Sequence, residues 1–155
     1  MLTILFVAWL LALQPAVNAA PVETKHLTLT TSSGPVTAGK LPLYVDVTPK
    51  PAMHVYAPGQ PGYIVVELKL DADAPVTAAG KPKYPAGEKV VMAALKETQL
   101  VYATPFRITQ DVARRAGTGS GALTIKGTLR YQACDDTICY KPATLAISWT
   151  VDGAI

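Results

Sequence analysis

Charge is scarce in this chain. Only 16% of its 155 residues are Asp, Glu, Lys or Arg, and the formal net charge is +3. So small and scattered an excess offers no basic patch to a nucleic acid. Cysteine is scarcer still: two thiols build neither a disulfide-rich miniprotein nor a four-thiolate zinc site. Beyond the first twenty residues there is no long apolar run, so no later segment reaches membrane-spanning length. Helical patterns are also missing. Thirteen prolines, eleven glycines and short β-branched runs argue against a helix bundle. Apolar residues, in contrast, make up half the chain, enough for a core and too much for disorder. The class that remains is one β-rich domain with a single pair of thiols.

The N-terminus stands apart from that domain. Leu2 to Leu13 is an almost unbroken apolar run, followed by Gln14-Pro15 and the small residues Val17-Asn18-Ala19-Ala20. This is the pattern of a secretory signal covering residues 1–19, with residues 20–155 as the mature domain. The run is about a dozen residues, short of the ~20 that cross a bilayer. No Lys or Arg precedes it, so an uncleaved anchor is the alternative. Every charged residue lies after it. The expected location is an oxidising compartment outside the cytoplasm, where a disulfide persists, with no membrane span in the mature chain.

Alternation and turn residues predict the strands. His26 to Thr31 alternates and ends at Ser32-Ser33-Gly34-Pro35; Leu43, Val45 and Val47 share a face before Pro49. Tyr63 to Leu70 places Ile64, Val66, Leu68 and Leu70 on one side, and a poorly patterned stretch runs from Asp71 to Gly87. Leu100 to Ile108 reads as extended, with Pro105 marking an edge or a bulge. Ala113-Arg114-Arg115 reads as a possible helical turn. Ala122 to Gln132 is strand-like, its register interrupted near Gly127, and Ala143 to Val151 closes the domain with Leu145, Ile147, Trp149 and Val151 inward. Six or seven strands joined by turns imply an all-β, single-domain antiparallel sandwich. An immunoglobulin-like arrangement is the most economical; a jelly roll or small barrel fits the same pattern.

The chemistry is concentrated between Tyr131 and Pro142. Four residues separate Cys134 from Cys139, and Asp135-Asp136-Thr137 favours a turn, so the thiols can oppose each other across a hairpin. Closing so short a loop stabilises by roughly 2 kcal/mol, against about 4.7 for a hundred-residue loop. A structural staple would therefore add little to a turn that hydrogen bonds already close. Spacing alone leaves a staple and a redox pair level. A metal site needs further ligands, and His26 and His54 are distant in sequence; copper(I) on both thiols with Met53 or Met92 is a weaker alternative. Asp135 and Asp136 disfavour a nearby thiolate, whereas Lys141 favours one at Cys139. Cys139 is thus expected to be the better leaving group and the better nucleophile.

This run resembles the active-site segment of the N-terminal periplasmic domain of the thiol:disulfide interchange protein DsbD, a family of immunoglobulin-like fold. The shared features are Tyr-Gln-x-Cys, a short turn, then Cys-Tyr and a proline. His54-Val55-Tyr56-Ala57-Pro58-Gly59, Lys83-Tyr84-Pro85-Ala86-Gly87-Glu88 and Leu100-Val101-Tyr102 resemble further family stretches in the same order. Some relatives place five residues between the cysteines where this chain has four.

The resemblance implies a periplasmic electron relay whose working group is a Cys134–Cys139 disulfide, with no cofactor or metal. The donor would be a thioredoxin-like module, and the acceptors thioredoxin-fold disulfide isomerases or cytochrome-maturation proteins. Cys139 would form the mixed disulfide and Cys134 resolve it; Tyr56 and Tyr140 would wall the site. A cap loop would cover the disulfide, matching Val91 to Glu97, with Leu95 as the cap candidate and Met92 beside it. Taken singly, the tyrosines read as core or rim residues, and His54 as a surface residue at a strand start. Because the family protein continues into membrane helices and a second periplasmic domain, a chain ending at Ile155 is expected to be free-standing or the product of a split gene. Two other functions stay open: a non-catalytic partner-binding sandwich with a structural disulfide, and a copper or haem-maturation accessory protein.

Overall fold

A computed structural model describes residues 20–93 and 96–152. In chain order the strands begin with β1 (Val22–Glu23), β2 (Leu27–Ser33), β3 (Leu41–Pro49) and β4 (His54–Tyr56). Next come β5 (Glu67–Leu70), β6 (Val76–Ala78), β7 (Glu88–Met92) and β8 (Glu97–Tyr102). The last four are β9 (Phe106–Arg114), β10 (Leu123–Tyr131), β11 (Ala133–Cys134) and β12 (Ala143–Val151). They form three sheets, ordered β1-β2-β3-β9-β6, β12-β10-β5 and β11-β4-β8-β7. Neighbours within each sheet run antiparallel.

The first two sheets make the sandwich that the alternation predicts. Leu27, Leu29, Leu43, Val45, Val47 and Ile108 from one sheet share a buried cluster with Ile125, Leu129, Ile147 and Trp149 from the other. Side chains of this size contribute roughly 1.5–3 kcal/mol each on burial. Two polar bonds pin the layers in register: Trp149 Nε1 donates to the Tyr44 carbonyl at 2.9 Å, and Thr31 Oγ1 to the Ser148 carbonyl at 2.6 Å. Each satisfies a polar group that the core would otherwise strand.

Several sequence expectations need correcting. Leu100 to Ile108 is not one strand. Pro105 lies between β8 and β9, where a residue without an N–H interrupts the ladder and the chain changes sheets. The Tyr102 and Phe106 rings stack across that corner with centroids 4.0 Å apart. Ala113-Arg114 ends β9 rather than forming a helical turn, because β6 pairs with it. That β6 also lies inside the stretch from Asp71 to Gly87, which lacked a readable pattern. In β10 the register runs unbroken through Gly127, paired with Leu70 on one side and Ile147 on the other. A Cβ there would sit 2.5 Å from the Lys69 carbonyl oxygen, so the glycine admits β5 at close range.

Candidate redox site

The third sheet carries the thiols, and its register explains which side chains meet them. Successive residues of a strand point to opposite faces. In β4, Val55 therefore enters the main core while His54 and Tyr56 take the other face. Cys134 pairs directly with His54 and shares its face; Ala133 pairs with Val55 and joins the core. On β8, Val101 pairs with Tyr56, and on β7, Val90 pairs with Gln99 and Met92 with Glu97. Tyr56, Val101 and Cys134 form a second, small buried cluster, with Tyr63, Val65 and Val90 packed against it.

The chain reaches this sheet by leaving β10 at Gln132. That side chain donates to the Tyr140 carbonyl at 3.1 Å and accepts from the Ile64 N–H at 3.3 Å, tying both sides of the crossing. The turn that follows is built on Asp135. Its Oδ1 accepts from the Thr137 N–H, the Thr137 hydroxyl and the Ile138 N–H, and its Oδ2 from the Tyr140 hydroxyl, at 2.7–2.8 Å. These bonds hold the carboxyl well below the usual carboxylate range, the Thr137 hydroxyl first among them. The same bond to Asp135 raises the Tyr140 phenol. Backbone bonds from Asp135 to Ile138 and from Tyr140 to Ala133 complete the hairpin.

Across that hairpin Cys134 and Cys139 are disulfide-bonded, their Cα atoms 4.0 Å apart. The two sulfurs live in different surroundings. Cys134 is 1% exposed, whereas Cys139 lies at the exposed end of the turn. The Tyr56 hydroxyl is 3.2 Å from each Sγ. Burial pushes this phenol up to about 12, with Tyr63 adding to the effect. The two rings stack at 4.2 Å; the Tyr63 hydroxyl accepts from the buried Gln99 and donates to Glu97.

A cleft of about 480 Å³ opens over the disulfide. Its walls include His54, Tyr56, Met92, Ile138 and both cysteines. Val91 and Ile138, also in the lining, are 71% and 54% exposed. Among the described residues no group of three or more His, Cys, Asp and Glu side chains is arranged to hold a metal ion.

Of the residues singled out in the sequence, the fold brings His54, Tyr56, Met92, Asp135 and Asp136 to the cleft beside the cysteines. Tyr140 stands behind the turn, bonded to Asp135, and Lys141 is exposed. Leu95 lies outside the described residues. His54 is not a surface residue: it is 5% exposed. His26, distant in sequence, packs against Tyr140 with centroids 4.5 Å apart and the rings tilted by 38°. Sequence reasoning missed Gln99, Tyr63 and Val90. For Gln99 and Val90 the signal is alternation on β8 and β7, which does not say which face holds the thiols; Tyr63 lies between β4 and β5, outside any strand.

A family model for the N-terminal part of the thiol:disulfide interchange protein DsbD matches residues 21–150. Among solved structures, the N-terminal periplasmic domain of ScsB from Proteus mirabilis is similar with a TM-score of 0.61 and 12% identity. That match covers 89% of this chain and 52% of the other, so the chain spans about half the length of that structure. The GAE domain of GGA2p from Saccharomyces cerevisiae has a TM-score of 0.50 at 8% identity, over 90% of this chain and 100% of that one. At these identities both likenesses concern the fold. A search of curated proteins finds no match.

Proposed function

The chain belongs to the family of the N-terminal domain of the thiol:disulfide interchange protein DsbD, and from that membership we propose that it relays electrons through Cys134 and Cys139. The observation that carries the reading is the asymmetry of the sulfurs. One sulfur is offered to a partner at the rim of a cleft, and the other is sequestered five residues away. A staple needs no such asymmetry, and the Asp135 bonds already close the turn it would secure.

In the proposed cycle a donor thiolate attacks Cys139 Sγ, the disulfide breaks, and Cys134 leaves as a thiolate. The donor's second thiol then displaces Cys139, leaving a reduced dithiol here and a disulfide on the donor. With an acceptor the steps reverse. The Cys139 thiolate attacks the acceptor disulfide, Cys134 attacks Cys139, and two electrons and two protons have passed on. Thioredoxin-fold proteins present the exposed, low-pKa thiolates that this chemistry requires. They are the proposed partners, disulfide isomerases and cytochrome-maturation proteins among them. Residues 1–19 are the proposed export signal and the periplasm the proposed location. The segment around Met92 and Leu95 is the proposed cap.

The test is the reduction potential of the Cys134–Cys139 bond, with exchange against reduced thioredoxin as the functional readout. A relay should titrate above about −300 mV and exchange readily; a staple should sit below it. A potential below that value, with no exchange, would replace the relay by the partner-binding sandwich.

A further inference from the structure

His54 is an imidazole in an unusual position. It is 5% exposed, its Nε2 is buried without a hydrogen-bond partner among the described residues, and it lines the cleft that holds both sulfurs. The strand register sets it directly opposite Cys134. Paired residues of antiparallel strands have Cβ atoms roughly 4.5–5.5 Å apart on a common face, within reach for an imidazole and a thiol. A buried polar atom left unpaired costs free energy, so its position calls for a partner in some state of the protein.

The relay reading supplies that state, and the present inference rests on it. When a partner is held on Cys139, Cys134 must attack as a thiolate. At 1% exposure it has little solvent to take its proton, and burial disfavours ionisation of a thiol. A neutral imidazole offers one basic nitrogen. We propose that His54 is the proton acceptor for Cys134. As the Cys134 sulfur forms its bond to Cys139 Sγ, the bond from Cys139 to the partner sulfur breaks and the partner leaves as a thiolate. The Cys134 proton passes to the imidazole and from there to solvent. In the reverse direction the same imidazole returns a proton to the departing Cys134.

The groups around His54 agree with a neutral base. From its own strand Tyr56 meets it edge-on at 6.0 Å. From β11 and the turn come Cys134, Asp135 and Asp136; burial lowers the pKa of the imidazole and outweighs the charges of Asp136 and Asp135, which favour the imidazolium. Across the cleft β7 and β8 present Val90, Met92 and Gln99. Of the carboxylates sharing that face, Glu97 accepts from Tyr63 and Glu88 from Thr104.

The experiment uses the reduced protein and 5,5′-dithiobis(2-nitrobenzoate) in a stopped-flow instrument. Attack by Cys139 releases the first thionitrobenzoate in a phase that depends on reagent concentration. Attack by Cys134 releases the second in a phase that does not. In His54→Gln the second phase should slow about 100-fold at pH 7, the usual scale of general-base catalysis, while the first changes little. The loss should shrink as pH rises and the thiol ionises unaided. Equal second phases in the two proteins would overturn the proposal. Should His54→Gln fail to fold, NMR titration of His54 in the wild type decides: its midpoint should differ between oxidised and reduced protein, and identical curves would overturn the proposal. Failure of the relay is seen separately, as wild-type protein that does not exchange with thioredoxin.

Discussion

The Tyr56 hydroxyl stands 3.2 Å from Cys139 Sγ, at the exposed end of a disulfide whose other sulfur is buried. With its pKa pushed up, this phenol keeps its proton and can donate it to the sulfur. Once the pair is reduced, that bond favours the Cys139 thiolate. Hydrogen bonds to charged groups contribute about 1.5–3 kcal/mol, equivalent to roughly one to two pH units. Tyr56→Phe should therefore raise the midpoint for iodoacetamide alkylation of Cys139 by about one unit. An unchanged midpoint would reduce Tyr56 to packing.

Unequal exposure of the sulfurs predicts unequal trapping. Cys134→Ala leaves the accessible Cys139 with nothing to resolve a mixed disulfide and should accumulate partner adducts on non-reducing gels of exported extracts. Cys139→Ala leaves only a buried thiol and should trap few. Equal trapping by both variants would remove the assigned roles.

Reduction should leave the sandwich standing. The loop closed by the disulfide contributes roughly 2 kcal/mol. Its loss should lower the melting temperature by about 5–10 °C in a domain of this size. Thermal melts with and without reductant measure this, and collapse of the β-sheet signal on reduction would favour the staple.

Two titrations predict separate acid-sensitive windows. His54 has a lowered pKa when folded, so the unfolded chain binds more protons just below pH 6.5. Stability should fall as pH drops from 6.5 toward that lowered value. Asp135 is also lowered on folding, so its contribution is complete above about pH 3.8 and is lost as pH falls through the folded value. The melting temperature of His54→Gln should be flatter than wild type between pH 7.5 and 5.5. Asp135→Asn should differ from wild type in its pH dependence only below about pH 4. Parallel curves for wild type and His54→Gln would contradict the first assignment.

Strand alternation was legible in long strands whose buried face is apolar; in β9 it was lost after Ile108, where the buried Gln110 breaks the apolar repeat. Ala143 to Val151 appears as β12 with the same bounds, and Leu43, Val45 and Val47 line one face of β3 as the pattern requires. Local chemistry was legible too. Asp-Asp-Thr between the cysteines announced the turn, and proximity in sequence brought the thiols together. Short strands were not legible, because two or three residues cannot display a period. This hid β6 and β11, and it made His54 look like a surface residue.

The sequence by itself determined the two-layer fold, the single pair of thiols and the tight turn between them, since these follow from periodicity and short-range geometry. Only the tertiary structure decided that Cys134 is buried and Cys139 exposed, and that His54 and Tyr56 face them from a strand 78 or more residues away. Those outcomes depend on the register of β4 against β11. A shift of one residue would have sent Val55 to the sulfurs and buried His54 in the main core. Register is set by the whole packed sheet, with Val55 and Ala133 drawn into the core together, and no local run of residues carries that information.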